Sequence, residues 1–205
     1  TLRFIYTILK NKAIWEREKM SEKYNMMDDI SSVLLSEEEI KDTVTRLGAK
    51  ISEDYAGKRL LIVGTLKGAL PFMGALLGKI TIPCEIDFMK VSSYGSGTKT
   101  SGQIKVLLDL IRSDLNQCDV LIVEDIIDSG RTLLNLTGYM KERGAKSVRT
   151  CTLLDKPSRR EVDFEADYVG RIIPDEFVVG FGLDYYEKYR NLPVIGILKR
   201  EVYSN

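Results

Sequence analysis

The sequence predicts an α/β protein whose mostly parallel, twisted sheet is flanked by helices. Two short runs, residues 60–64 and 120–123, are almost wholly apolar without alternation, as expected of strands buried on both faces of a parallel sheet. Segments with helical periodicity separate the predicted strands, and the turns between them are short. The 205 residues suffice for one domain with a sizeable core plus a modest appendage, and no inter-domain linker interrupts them.

Three helices follow from periodicity and from their start and stop signals. The first begins with a capping box, in which Ser36 is the N-cap and Glu39 the third helical residue, and one face of the segment that follows is apolar. Glycines end the first and third helices, at Gly57 and Gly144. The predicted helices cover residues 37–54, 69–77 and 133–143.

Apolar or alternating runs between these helices predict the strands of the sheet. The predicted strands cover residues 60–64, 84–91, 104–110, 120–123, 147–154 and 194–198. Ligands of parallel α/β sheets bind beyond the carboxyl ends of the strands. Four segments therefore share one rim of the predicted sheet: residues 65–68, 92–102, 124–132 and 154–157.

The loop DSGRT, residues 128–132, opens a helix predicted to begin near Leu133. A strand, a small-residue loop and a helix N-terminus together form a cradle for an anion, because free backbone N–H groups and the positive end of the helix dipole converge there. Ser129 and Thr132 add hydroxyl donors, and Gly130 allows the backbone to approach a phosphate closely. The pattern predicts a phosphate site.

Two carboxylates, Glu124 and Asp125, stand where the central strand is predicted to end. Beside a phosphate they would repel the ligand, unless they hold sugar hydroxyls and a divalent cation. A ligand that combines phosphate, ribose and metal is a phosphorylated ribose. The alternative interpretation is a buried strand followed by an acidic N-cap, Asp128, with no ligand at all.

Residues 120–132 resemble the phosphoribosyl-diphosphate (PRPP) signature of type I phosphoribosyltransferases: a hydrophobic strand, two acids, two apolar residues, an acid, then small-Gly-x-Thr. Three more motifs occur in the family's order: LKG at 66–68, LLDKP at 153–157 and PDEFVVGFGLDY at 174–185. Together they resemble the hypoxanthine-guanine phosphoribosyltransferases, in the style of compact bacterial members. The resemblance implies the type I phosphoribosyltransferase fold with a small hood lobe, built from residues near 160–190 and from the region before Arg59.

The resemblance assigns catalysis to Asp128, as the proton-transfer group facing the imidazole edge of the purine. It implies a cis peptide bond between Leu66 and Lys67, whose backbone binds pyrophosphate. The residues implied to bind PRPP and its phosphates are Leu66, Lys67, Gly68, Glu124, Asp125, Ile127, Asp128, Ser129, Gly130, Arg131, Thr132 and Arg190.

The resemblance also assigns the purine pocket, with Lys156 reading the 6-oxo group and Phe177 stacking on the base. Val178 contacts the base through its backbone, and Asp184 lies beside it. Magnesium is the implied cofactor, held by Glu124, Asp125 and Asp184.

Residues 92–102 are mostly small polar residues and glycines, and the segment resembles the family's lid. Ser93 and Tyr94 match the Ser-Tyr pair that closes over the site. Two departures, Glu176 and Tyr186, lie near the rim of the base pocket, so the ranking of hypoxanthine, guanine and xanthine stays open.

Composition limits the other functions. Lys plus Arg equals Asp plus Glu at 30 each, and histidine is absent, so a carboxylate, a lysine, a tyrosine or the ligand must carry any proton. The balanced charge predicts no nucleic-acid partner, and the lack of long apolar runs predicts no membrane partner. Cys84, Cys118 and Cys151 are far apart and form no CxxC motif, which favours a reducing cytoplasm without disulfides or zinc.

The resulting interpretation is purine salvage: a 6-oxopurine and PRPP give the nucleoside 5′-monophosphate, IMP or GMP, and pyrophosphate, in a homodimer or homotetramer. The rival from another class is a PRPP-sensing regulator that binds nucleic acid, which the zero net charge disfavours. Orotate, uracil and adenine enzymes are disfavoured by the motifs at 153–157 and 174–185.

The chain is divided into a phosphoribosyltransferase domain at 29–205 and an accessory or upstream segment at 1–28. Three interpretations of the first segment stay open: a helix docked on a partner subunit, a membrane-surface helix, or sequence upstream of a start at Met20, Met26 or Met27.

Overall fold

The computed structural model describes residues 24–93 and 104–204. Its nine strands are β1 (Ile30–Leu35), β2 (Leu60–Thr65), β3 (Cys84–Ser93), β4 (Ile104–Leu108), β5 (Asp119–Ile127), β6 (Ser147–Asp155), β7 (Tyr168–Ile172), β8 (Val178–Val179) and β9 (Ile195–Leu198). Its α-helices are α1 (Glu37–Asp54), α2 (Leu70–Leu77), α3 (Arg131–Glu142) and α4 (Arg200–Tyr203).

Six strands form a central sheet in the order β4-β3-β2-β5-β6-β7. All neighbours in this sheet are parallel except β4, which pairs antiparallel with β3 at one edge. Every residue of β2 is buried, as a central parallel strand between two layers requires. The predicted α/β class with a mostly parallel sheet is therefore confirmed.

The start of α1 shows how the sequence specifies a helix end. The Ser36 hydroxyl accepts a hydrogen bond from the backbone N–H of Glu39 at 3.3 Å, and the Glu39 carboxylate accepts one from the backbone N–H of Ser36 at 2.9 Å. This is the predicted capping box. Past it, α1 buries one face against the sheet, with its apolar residues at helical spacing: Ile40, Val44, Leu47 and Ile51.

The acids lie inside the central strand, which corrects the prediction that they follow its end. β5 continues through Glu124 and Asp125 to Ile127, and Leu60–Gly64 of β2 and Ser147–Asp155 of β6 pair along it. Helix α3 begins at Arg131, two residues before the predicted start, because Gly130 in the left-handed region (φ +82°) turns the chain directly into the helix.

The hood contains a strand from each predicted region, β1 before Arg59 and β8 within residues 160–190, but β7 and β9 differ from the prediction. A separate three-stranded antiparallel sheet in the order β1-β9-β8 forms this lobe. β7, which lies within the segment predicted to build the hood, is instead the edge strand of the central sheet. β9 matches the last predicted strand but belongs to the hood, since its apolar residues pair with β1 from the other end of the chain.

The segment just before β1 packs on the hood. Met26 joins the apolar cluster around Ile30 and Tyr189, and the Tyr24 and Tyr189 hydroxyls both donate to the Asp29 carboxylate. Among the described residues, no helix combines the length and apolar character that crossing a bilayer needs. The division of the chain at residue 28 stays a prediction.

Candidate active site

A cavity of about 150 Å³ opens between the end of β5 and the first turn of α3. It is lined by Glu124, Asp125, Ile126, Ile127, Asp128, Ser129, Gly130, Thr132 and Leu133. A Cβ on Gly130 would stand 2.8 Å from the Arg160 side chain, so the loop needs glycine for space as well as for its backbone angle. The predicted phosphate loop thus borders a cavity with hydroxyl donors and a helix N-terminus.

Arg131 contributes its backbone rather than its side chain to this loop. Its guanidinium pairs with Glu161 at 2.7 Å, and its N–H donates to the Ser129 hydroxyl at 3.3 Å. The Glu161 N–H donates to the Ser129 carbonyl at 3.0 Å. The segment after β6 therefore anchors the loop from outside.

Asp125, which is buried, and Glu124, which is half-buried, form an acid pair that lines this cavity. The Glu124 Oε2 atom is enclosed and has no hydrogen-bond partner. Burial, and then the neighbouring Asp125 charge, raise the pKa of Glu124 well above its usual value. Burial also raises the pKa of Asp125, although the Ile126 N–H at 3.0 Å and the Arg190 charge act in the opposite direction. Such a pair fits a ligand that brings hydroxyl donors or a cation.

The turn after β2 carries the predicted cis peptide bond, between Leu66 and Lys67. A Cβ on Gly68 would stand 1.7 Å from the Asp125 carboxylate oxygen Oδ2, so the turn lies directly against the acid pair. Gly182, at φ +104°, approaches from the hood side, where its own Cβ would stand 2.0 Å from the Gly68 carbonyl oxygen. Three distant segments therefore meet at Gly68, and two of them need glycine to do so.

The cations Lys67 and Arg190 lie beside Gly68. Acids of residues 182–190, called the hood segment here, form ion pairs with both cations. Lys67 contacts Glu187 at 3.1 Å, while Arg190 contacts Glu187 at 3.2 Å and Asp184 at 2.7 Å. Arg190 also donates to the Gly182 carbonyl at 2.7 Å. Lys67 and then Arg190 lower the pKa of Glu187. Sequence reasoning missed Glu187, although it stands between the predicted residues Asp184 and Arg190.

Lys156 directly follows β6 and is almost fully buried, with 8% of its surface exposed. Its ammonium donates to the Glu176 carbonyl at 2.6 Å, and its N–H donates to the Ile127 carbonyl at 3.0 Å. The second contact joins Lys156, the lysine predicted to bind the 6-oxo group of the purine, to the last residue of β5. A buried ammonium with one protein acceptor still has donors to offer to a ligand oxygen.

Phe177 and Val178 lie at the start of β8 in the hood. Phe177 remains 38% exposed, whereas Val178 is buried. The Phe177 ring stacks on Tyr203 with centroids 4.8 Å apart, and Tyr185 meets it edge-on at 5.6 Å. Neither tyrosine was predicted as part of the pocket: Tyr185 ends the motif at 174–185 without an assigned role, and no motif covers Tyr203.

Asp128 stands at the mouth of the cavity with two arginines behind it. Arg159 approaches its Oδ1 atom at 3.4 Å without forming a hydrogen bond to it. Arg160 donates to the Asp128 backbone carbonyl and to the Asp155 carboxylate. The loop that carries Asp128 is therefore held by its backbone, which leaves the carboxylate available to a ligand.

The structure brings most of the predicted residues together but leaves part of the scheme apart. Asp184 pairs with Arg190, and in the described ranges no group of three His, Cys, Asp or Glu side chains converges as a metal cage. Of the predicted lid, Tyr94 lies outside the described residues, and Ser93 is described only as the last residue of β3.

The acid pair predicts a pH-dependent stability of the ligand-free protein. Because the folded-state pKa of Glu124 is raised, stability is fully present below the ordinary value near 4.5 and is lost as the pH rises through the raised one. Glu124→Gln removes this titration and keeps the shape. We expect it to melt higher than the wild type at pH 8, by roughly 2–4 °C for about 1 kcal/mol, with the difference shrinking toward pH 5.

Thermal melts without ligand from pH 5 to pH 8 provide the measurement. Glu142→Gln, at an exposed position of α3, is the matched control and should leave the melting temperature unchanged at every pH. A Glu124→Gln protein that melts below the wild type at pH 8 would show that the buried carboxylate stabilises the fold.

The sequence and the fold of the chain match a known family. A family model for the phosphoribosyl transferase domain matches residues 32–186. The hypoxanthine-guanine phosphoribosyltransferase of Streptococcus pneumoniae R6 is 54% identical over 178 residues, which are 87% of this chain and 98% of that protein. The bifunctional protein TilS/HprT of Listeria monocytogenes F2365 is also 54% identical over 180 residues, which are 88% of this chain but 28% of that longer protein.

Solved structures agree with these relatives. A hypoxanthine phosphoribosyltransferase from Staphylococcus aureus has a TM-score of 0.85 and 51% identity, over 90% of this chain and 100% of that one. A hypoxanthine phosphoribosyltransferase from Trypanosoma cruzi has a TM-score of 0.82 and 38% identity, over 89% of this chain and 97% of that one. The chain therefore belongs to the hypoxanthine-guanine phosphoribosyltransferase family of purine salvage.

Proposed function

We propose that this chain transfers the 5-phosphoribosyl group of PRPP to a 6-oxopurine, giving IMP or GMP and pyrophosphate. One observation carries the proposal: Gly68 of the cis turn, Asp125 of the acid pair and Gly182 of the hood segment are in contact. Beside this contact lie the cations Lys67 and Arg190, and Asp125 also lines the cavity next to the predicted phosphate loop. A phosphorylated ribose with a pyrophosphate on one side and a purine on the other fits that arrangement.

The 5′-phosphate and the pyrophosphate of PRPP are assigned to different ends of the site. The 5′-phosphate is assigned to the loop Asp128–Thr132, where Ser129, Thr132 and backbone N–H groups face the cavity at the start of α3. Pyrophosphate is assigned to the cis turn and to Lys67 and Arg190, which are cationic and meet beside the acid pair. Its charge would take over the pairing that Glu187 and Asp184 now provide.

Glu124 and Asp125 are proposed to hold the ribose hydroxyls and magnesium, with Asp184 as a further ligand beside the base. The enclosed, unpartnered Glu124 Oε2 and the raised pKa of both acids fit a cation there. Mg²⁺ is commonly bound by one or two carboxylates plus substrate oxygens, so the pair does not need to be a closed cage. When bound, the ion would supply charge neutralisation for the departing pyrophosphate.

Catalysis is proposed to proceed through an oxocarbenium-like state as the bond from the anomeric carbon to pyrophosphate breaks and the bond to the purine nitrogen forms. The purine loses a proton from its imidazole edge, and Asp128 is placed to accept it. Phe177 and Val178 hold the base, while Lys156 fixes its 6-oxo group. The chain has no histidine, so Asp128 is the group at the cavity mouth suited to this proton.

The first experiment is a turnover assay of the purified chain with PRPP, Mg²⁺ and each base in turn. Hypoxanthine and guanine should be consumed and pyrophosphate released, and xanthine is assayed beside them because Glu176 and Tyr186 leave its rank open. A chelator should abolish turnover and Mg²⁺ or Mn²⁺ should restore it, because PRPP brings more negative charge than the acid pair can accept alone. Undiminished activity in chelator would contradict the magnesium assignment.

Asp128→Asn should lower kcat by about 10²- to 10⁴-fold, the usual contribution of general acid–base catalysis. The KM for PRPP should change little, since the loop is held by backbone contacts and by Arg160. Asp42→Asn, at an exposed position of α1, is the control. A kcat for Asp128→Asn within about threefold of wild type would refute the assignment.

Lys156 should determine the choice of 6-oxopurines over adenine. Its buried ammonium can donate to an oxygen, whereas an amino group would leave that charge without an acceptor. Adenine should therefore be a very poor substrate, and Lys156→Ala should narrow the ratio of kcat/KM between hypoxanthine and adenine. Efficient use of adenine by the unaltered protein would exclude this role.

Assembly and setting complete the proposal. We propose a homodimer or homotetramer in the cytoplasm, without nucleic-acid or membrane partners, in which residues 29–205 form the catalytic domain and residues 1–28 an accessory segment. Large apolar side chains exposed on β3, β4 and the turn after them support self-association: Ile86, Leu107, Leu108 and Ile111. Light scattering of the purified chain distinguishes these states from a monomer.

Ser93 and Tyr94 are proposed as the lid that closes over the site.

A further inference from the structure

The last helix, α4, returns the end of the chain to the base-binding side of the hood. Tyr203 at its end stacks on Phe177, with ring centroids 4.8 Å apart and ring planes 21° from parallel. That spacing leaves no room for a base between the two rings. Tyr203 therefore covers one face of Phe177, and the 38% of Phe177 that remains exposed is available for a ligand on its other side.

Tyr185 completes a three-ring cluster. It meets Phe177 edge-on at 5.6 Å with planes at 89°, and it meets Tyr203 at 6.5 Å with planes at 70°. A stacked contact and a perpendicular contact restrain different rotations of the Phe177 ring. The plane of the ring is thus fixed by tyrosines from two separate segments of the hood.

The backbone connects the same parts. The Leu198 N–H donates to the Phe177 carbonyl at 2.8 Å, and Val178 pairs with Ile197 in the hood sheet. α4 begins at Arg200, two residues after this contact, so its position is set by the strand that also holds Phe177. Within the described part of the chain, the ring contacts of Tyr203 are with Phe177 and Tyr185, which both lie in the hood.

We propose that Tyr203 is a positioning residue for the purine: it sets the plane of Phe177 and thereby the stacking surface offered to the base. This inference rests on the proposed function, because it assigns Phe177 to the purine. It predicts that Tyr203 affects recognition of the base and leaves recognition of the ribose phosphate unchanged. A residue with a merely structural role would affect both.

The test compares Tyr203→Ala and Tyr203→Phe. An aromatic pair contributes a factor of roughly 3 to 10 in an equilibrium, so Tyr203→Ala should raise the KM for hypoxanthine by about that factor while the KM for PRPP stays within twofold. Tyr203→Phe keeps the stack and should behave as wild type. Arg200→Ala, exposed on the same helix, is the control and should change neither KM.

Calorimetric binding of GMP and of ribose 5-phosphate gives a second readout that needs no turnover. Tyr203→Ala should weaken the binding of GMP by the same factor and leave the binding of ribose 5-phosphate unchanged. If Tyr203→Ala does not fold, Tyr203→Leu, which fills the space without a flat ring, takes its place.

The inference would be overturned if Tyr203→Ala weakened the binding of GMP and of ribose 5-phosphate equally, or if folded Tyr203→Ala kept the hypoxanthine KM of the wild type. It would also be overturned if Tyr203→Phe were as impaired as Tyr203→Ala. Absence of turnover by the wild type with every base would instead defeat the proposed function, and the GMP comparison would still decide the role of Tyr203.

Discussion

The burial of two adjacent carboxyl groups in the central strand is the constraint on which the site depends. β5 lies between β2 and β6, so Glu124 and Asp125 are surrounded by sheet before any ligand arrives. Burying a carboxyl without a cation is unfavourable, and the protein accommodates it through a raised pKa. The central strand therefore carries a pair of carboxyl groups whose charged forms are unfavourable in the ligand-free protein.

The backbone around the pair is arranged by the same constraint. Asp125 occupies the space where a side chain of residue 68 would lie, and the Gly68 carbonyl occupies the space where one of residue 182 would lie. The cis turn, the central strand and the hood segment can approach one another only because two of the three positions lack a side chain. The hood thus meets the core at the point where pyrophosphate and ribose would join.

The sequence allowed much of this to be predicted, since apolar runs and a capping box act locally and the motif at 120–132 is contiguous. The extent of β5 was not predictable in this way, because its two acids interrupt the apolar pattern that indicates a strand. The hood lobe was predicted but the pairing of its strands was not, because β8 has two residues and β1 and β9 come from opposite ends of the chain. The contacts of Glu187 and Tyr203 are tertiary, and no local pattern indicates them.

Charge pairing links these features into one arrangement. The cations Lys67 and Arg190 are paired with the acids Glu187 and Asp184, whereas within the described ranges no ion pair reaches Glu124 or Asp125. In the proposed function, pyrophosphate would bring negative charge to the two cations, and its metal ion would bring positive charge to the two acids. Pyrophosphate alone would supply no cation to Glu124 and Asp125, and the metal ion alone would supply no anion to Lys67 and Arg190. The charges around the cis turn would thus complement the complex of pyrophosphate and metal that the proposed function requires.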